Sequence, residues 1–206
     1  MSLKIADPQF VPVMESFYTI QGEGFHTGSS AYFIRLGGCD VRCTWCDVKE
    51  SWDASMHEWR PIKELAKEAK DSGAELVVIT GGEPLMYDLT LLTKELKELG
   101  LRTNIETSGA YPLSGDWDWI CFSPKKFKAP LEEFYQVAHE LKVVVFNRHD
   151  MKWATQHSEK MNSESLWYLQ PEWSKAKEMT PLIVDFVKQN PKWHISLQTH
   201  KYMDIP

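Results

Sequence analysis

Three of the four cysteines in this chain fall within eight residues, Cys39-Asp40-Val41-Arg42-Cys43-Thr44-Trp45-Cys46. They follow an apolar run, 31–36, and two glycines, Gly37 and Gly38, so the segment reads as a loop leaving the end of a strand. Three thiolates on a short loop can converge on one metal centre, yet they lack the fourth ligand of a closed structural site. Three chemistries compete for the loop. A zinc-stapled binding module would take its fourth ligand from His26 or His57. A disulfide would be strained at such short separations. A four-iron, four-sulfur cluster would use the cysteines on three irons and keep the fourth open. Spacing alone leaves zinc and the cluster level.

The elements that position this loop decide more. Residues 11–18 alternate as a strand and run through Ile20 into Gln21-Gly22-Glu23-Gly24, which reads either as a hairpin turn or as a ligand-approaching loop. A helix is expected over 61–70, with Pro61 at its start and Gly73 past its end. The continuous apolar run 76–80 is a strand buried on both faces, and it empties into Gly81-Gly82-Glu83-Pro84. Helices are further expected over 88–99, 131–140, 150–161 and 173–188, alternating with strands over 103–106, 117–122, 141–146, 166–169 and 193–197. Such alternation implies right-handed crossovers and a mainly parallel sheet. Arg35, the cysteines, Gly81–Pro84, Glu106–Gly109, Ser123–Lys125, Gln170, Gln198 and His200 then all fall at carboxyl ends of strands. Those ends share one rim, where α/β folds build their sites. A structural zinc knot has no reason to face that rim, so the cluster reading gains.

Composition sets the remaining bounds. The 206 residues suffice for one domain, 1–206, and 43% hydrophobic with 25% charged residues is ordinary for a soluble globular protein. No apolar run approaches a membrane span, and residues 1–10, with Lys4 and Asp7, lack a signal core. Free thiols fit a reducing cytoplasm. The net charge of −6 is spread over mixed pairs such as Lys63-Glu64, which argues against nucleic acid as a partner. Cys121, inside the apolar run 119–122, reads as a buried inert thiol.

The pairing of Cys-x3-Cys-x2-Cys with a following Gly-Gly-Glu-Pro resembles the radical S-adenosylmethionine superfamily. The resemblance implies that Cys39, Cys43 and Cys46 hold a 4Fe–4S cluster, whose open iron chelates the methionine moiety of S-adenosylmethionine. Trp45, between the last two cysteines, is also similar to the family pattern. A closer resemblance covers nearly the whole chain. Thr19-Ile20-Gln21-Gly22-Glu23-Gly24, Arg35, Cys46-Asp47, Thr80, Glu106-Thr107, Ser123-Pro124-Lys125, Leu169-Gln170 and the final Pro206 are similar to the 7-carboxy-7-deazaguanine synthase family. The implied fold is a truncated, partly open (β/α)6-like barrel. The implied reaction contracts 6-carboxy-5,6,7,8-tetrahydropterin to a 7-deazapurine with loss of ammonia, on the route to queuosine.

By the same resemblance, Trp45, Asp47, Gly81, Gly82, Glu83, Ser123, Pro124, Lys125 and Gln170 contact S-adenosylmethionine. Ile20, Gln21, Gly22, Glu23, Arg35, Thr80, His200 and Pro206 contact the pterin. Arg35 suits its carboxylate, since a guanidinium fork matches that group bidentately. An electron donor such as flavodoxin or ferredoxin and a homodimer are also implied. One position departs from the family pattern. Where a hydroxyl is expected to help bind Mg²⁺, the chain has Val48, so magnesium would rely on substrate, water and another oxygen such as that of Asp47, with weakened affinity. The nearest rival enzyme is a radical activase of a glycyl-radical protein, which shares the cysteine loop but has no need of Gln21–Glu23 or Arg35.

Overall fold

The computed structural model describes residues 8–206; Lys4 and Asp7 lie outside them. Among the described residues nine strands form one sheet in the order β3-β1-β2-β4-β5-β6-β7-β8-β9. Strands β1 (Phe10–Ile20), β2 (Ser30–Leu36) and the short β3 (Glu58–Pro61) pair antiparallel. From β2 onward every pairing is parallel, through β4 (Leu76–Gly81), β5 (Arg102–Thr107), β6 (Trp119–Phe122), β7 (Glu140–Val145), β8 (Leu166–Pro171) and β9 (Trp193–Ile195). The sheet does not close. Its open side is bridged by the loop after β1, where Thr199 N donates to the Gly22 carbonyl at 3.0 Å and Gly24 N to Ser196 Oγ at 2.9 Å.

Side-chain alternation explains the two sides of this sheet. Leu141, Val143 and Val145 of β7, like Val77 and Ile79 of β4 and Ile34 and Leu36 of β2, pack in the main core beneath the helices. The alternate positions face inward and are far more polar, with Arg35, Thr80 and Lys142 lining one cavity. Helix α1 (Ile62–Asp71) buries Ile62, Leu65, Ala66 and Ala69, an i, i+3, i+4, i+7 stripe, and α2 (Thr90–Glu98) buries Leu92 and Leu96. Each fully buried leucine or isoleucine contributes about 1.5–3 kcal/mol by leaving water.

Expected and observed elements differ at three places. The helix expected over 131–140 shrinks to α3 (Phe134–Val137). The sheet competes for its end, because His139 N donates to the Ile120 carbonyl and His139 Nδ1 accepts from Ile120 N, which draws Glu140 into β7. Strand β3 was too short to carry a periodic signal, and it exists by pairing with β1. Helices α4 (His149–Ser158) and α5 (Ala176–Gln189) fall within three residues of their expected spans at each end, and a five-residue α6 (Thr199–Met203) follows β9. Among the described residues no helix is long and apolar enough to cross a membrane.

Candidate active site

A single cavity at the carboxyl ends of the parallel strands gathers nearly all the residues singled out above. Ile20, Gln21, Gly22, Glu23, Arg35, Cys39, Cys43, Trp45, Cys46, Asp47, Thr80, Gly81, Gly82, Glu83, Ser123, Lys125, Gln170, His200 and Pro206 line it. Pro124 is buried behind the rim and does not.

The start of the cysteine loop is pinned to the segment that follows it. Gly38 N and Cys39 N donate to the carbonyls of Ser51 and Trp52, and Arg42 takes a φ of 51°, which turns the chain between the first two cysteines. Cys39, Cys43 and Cys46 share a small apolar nest with Val41, Trp45, Ala110 and Tyr111. Burial pushes the Cys43 thiol up to about 11, although Lys125 opposes this, and burial also raises Cys39. Among the described residues no three His, Cys, Asp or Glu groups surround a single ion position. Neither candidate fourth zinc ligand lines the cavity with the cysteines. His57 Nε2 is engaged with the Glu50 carbonyl at 2.8 Å, and His26 packs edge-on against Trp119. The donor set fits a cluster, in which each thiolate binds a different iron.

The glycine loop after β4 lies directly against the cysteine loop. Gly82 N donates to the Leu36 carbonyl at 2.9 Å and Glu83 N to the Gly38 carbonyl at 2.8 Å. A Cβ on Gly82 would lie 2.0 Å from the Gly38 oxygen and 3.0 Å from the Cys39 Cβ, so only glycine permits this approach. Glu83, which borders the cavity, is also engaged by the protein itself. Its buried carboxylate accepts from Thr107 Oγ1 at 2.6 Å, Leu85 N at 3.2 Å, Ser108 N at 2.8 Å and Ser108 Oγ, binding the loop after β4 to the end of β5.

Across the cavity, Arg35 donates from Nε to Glu15 Oε1 at 2.6 Å, which leaves its two terminal nitrogens for a carboxylate. Lys125 donates to the Ser123 carbonyl at 2.7 Å, and its ammonium lies 5.9 Å from the Trp45 ring centroid. Gln170 Oε1 accepts from Ser196 Oγ at 2.7 Å. Burial holds His200 below the usual histidine range, and its ring packs over Gly22. Pro206 reaches the cavity with its carbonyl bound by Thr19 Oγ1 at 3.3 Å. Asp47 Oδ2 accepts from Lys201 at 2.8 Å and from Gln198 at 3.4 Å.

Three participants, Lys142, Glu106 and Gln198, carry no role assigned from the sequence. Lys142, 3% exposed in its side chain, donates to Glu23 at 2.6 Å and to Glu106 at 2.7 Å. Gln198 Nε2 donates to Glu23 at 2.9 Å. Burial would raise the Glu23 carboxyl, but the Lys142 charge and the hydrogen bonds from Lys142, Gln198 and Gln170 outweigh it and bring Glu23 down to about 2. The signal for Lys142 was present, since a lone lysine inside the apolar run 141–146 has to meet a counter-charge.

Comparison with known proteins agrees with this geometry. Residues 33–122, which carry both the cysteine and the glycine loops, match the radical SAM superfamily model. A protein named 7-carboxy-7-deazaguanine synthase from Flavobacterium psychrophilum is 55% identical, over 100% of this chain and 98% of its own. A second of that name, from Synechocystis, is 46% identical over 94% of this chain and 93% of its own. The crystal structure of QueE from Escherichia coli superposes with a TM-score of 0.80 at 30% identity, covering 91% of this chain and 93% of that one. With full-length identity at this level, and the cysteine and glycine loops meeting at one cavity, the chain belongs to the 7-carboxy-7-deazaguanine synthase family of radical S-adenosylmethionine enzymes.

Proposed function

We propose that Cys39, Cys43 and Cys46 hold the 4Fe–4S cluster of this radical S-adenosylmethionine enzyme, and that the rest of the cavity divides between cofactor and pterin. The enzyme converts 6-carboxy-5,6,7,8-tetrahydropterin to 7-carboxy-7-deazaguanine in queuosine biosynthesis. When bound, the cluster supplies the single electron that cleaves S-adenosylmethionine and so starts hydrogen abstraction from the substrate. The chain's own residues bind, orient and seal. The backbone of Gly81-Gly82, together with Ser123, Lys125 and Gln170, is suited to the polar groups of S-adenosylmethionine. Phe17, Phe33, Val48 and Val144 add apolar wall that excludes water from a radical reaction.

The observation that carries the division is the polarity of the cavity. Arg35 offers a free guanidinium end, while Glu23 is an ionised acceptor lining the same chamber. That combination suits a ligand with a carboxylate on one side and amino and ring N–H donors on the other. An Arg35→Met variant is expected to raise the KM for the pterin about 100-fold, since a charge-assisted bidentate contact is lost, with kcat reduced much less. An unchanged KM would remove Arg35 from the substrate site.

Positions 47 and 48 by themselves do not fit a resident magnesium site. Val48 has no donor atom, and Asp47 is held by Lys201, whose ammonium a cation would have to displace. Magnesium is therefore expected to change the wild-type KM by less than about threefold, whereas Val48→Ser makes the KM fall about tenfold as magnesium is titrated in. A strong magnesium requirement in the wild type would overturn this. A protein reductant such as flavodoxin or ferredoxin, and a homodimer covering the exposed Phe10 and Trp59 on the paired β1 and β3, complete the proposal.

A further inference from the structure

We infer that Lys142 is a positioning residue for substrate recognition, acting through Glu23 by closing a ring of hydrogen bonds across the open side of the barrel. The ring runs through four side chains from three separate elements. Lys142 Nζ on β7 donates to Glu106 Oε2 on β5 at 2.7 Å and to Glu23 Oε2 in the loop after β1 at 2.6 Å. Gln21 Nε2 donates to Glu106 Oε1 at 2.9 Å, and Glu23 N returns the chain to Gln21 Oε1 at 3.0 Å. Outside the ring, Gln198 fixes the second oxygen of Glu23 at 2.9 Å.

The topology gives such a device a place to act. Strand β1 is the one that turns antiparallel to the rest, and its following loop spans a gap that no strand pairing closes. Backbone contacts of Gly22 and Gly24 anchor the loop only to the region after β9. Further along the same loop Phe25 N donates to Glu140 Oε2 on β7 at 3.1 Å, and the Phe25 ring stacks on Trp119 of β6. Lys142 adds the link that fixes the Glu23 carboxylate itself to the interior of the parallel sheet. It also supplies charge. Two carboxylates, Glu23 and Glu106, converge in a buried chamber, where like charges disfavour joint ionisation unless a cation lies between them. Glu140 and Cys121 also face Lys142 from below, and Lys125, His200 and Asp47 lie close enough to influence the same groups. With Lys142 in place Glu23 is a fixed, ionised acceptor. Without it, one of the two carboxylates takes up a proton and Glu23 is no longer aimed.

This inference rests on the reading of Glu23 as a pterin contact, and the test separates the two. Wild type, Lys142→Met, Glu23→Gln and the double variant are prepared as cluster-loaded holoenzymes. Iron content checks the fold, and the dissociation constant for 6-carboxytetrahydropterin is measured in the presence of S-adenosylmethionine. Lys142→Met is expected to weaken binding about 30- to 100-fold, with the defect shrinking from pH 6 to pH 8 as the shared proton leaves and Glu23 regains its charge, and with kcat falling less than KM rises. The double variant should bind no worse than Glu23→Gln alone, because the lysine acts through that carboxylate. If Glu23→Gln weakens binding and Lys142→Met does not, or if the two effects simply add, the inference is wrong while the Glu23 contact stands. If Glu23→Gln itself binds normally, both fall. Should Lys142→Met fail to load iron, Glu106→Gln breaks the same ring by setting an amide against Gln21, and wild-type binding in that variant overturns the inference.

Discussion

A Cys43→Ala variant is expected to retain no intact cluster and to lose product formation by at least about 1000-fold, whereas Cys121→Ala keeps both. The contrast follows from where the two thiols sit. Cys43 is buried in the nest beside Cys39, Cys46 and Trp45, lines the cavity, and has Lys125 as its nearby cation. Removing it leaves two thiolates for a cluster that needs three, and the iron freed of its ligand is lost to solvent. Cys121 sits one layer lower inside the barrel, with its thiol 3.5 Å from Glu140 Oε1. Burial drives that thiol well above its usual range, and it is not among the residues that line the cavity with the three loop cysteines. Iron and sulfide per chain, measured after anaerobic reconstitution, check the claim. Equal loss of iron in both variants would mean that the cluster is not held by the cysteine loop alone.

The second large effect is expected at Glu83, a residue that contacts the protein more than any ligand. Glu83→Ala removes four hydrogen-bond acceptances at a position 1% exposed and leaves Thr107 and Ser108 with unpaired buried groups. Losing one side of such a buried charged network costs about 3–5 kcal/mol. For a domain of this size that corresponds to a fall in Tm of roughly 6–20 °C. Function should suffer beyond stability, because Glu83 is what ties the Gly81-Gly82 backbone to β5 while Gly82 presses on Gly38. S-adenosylmethionine affinity is expected to drop about 100-fold at temperatures where the variant is still folded. A variant with wild-type Tm would show that the clamp contributes little. One with normal cofactor affinity would separate the clamp from the binding loop.

The Glu83 result also marks what could be read from the chain alone. Gly81-Gly82-Glu83-Pro84 was legible as a loop at the site because the preceding apolar run could only be a buried strand, and strand ends in such sheets converge. That the Glu83 carboxylate also clamps the loop to the end of β5 could not be read, since its partners Thr107 and Ser108 lie more than twenty residues away. Lys142 was similar. Its oddness was visible in the apolar run 141–146, but which carboxylates it meets depends on the stagger of β5 and β7 and on a loop that crosses the open side. Conversely, the Gln21–Glu23 segment was open between a turn and a ligand loop, and it is both: β1 and β2 form a hairpin whose turn lines the cavity. Helix 131–140 was overestimated because local periodicity cannot register the pull of β6 on His139.

The most direct test is anaerobic reconstitution with iron and sulfide, followed by incubation with S-adenosylmethionine, a one-electron reductant and 6-carboxy-5,6,7,8-tetrahydropterin, with products read by mass spectrometry. Formation of 7-carboxy-7-deazaguanine that depends on all of these components is the expected result. 5′-Deoxyadenosine without the deazapurine, in protein fully loaded with iron and sulfide, would contradict the substrate assignment, and absence of both would contradict the radical chemistry itself.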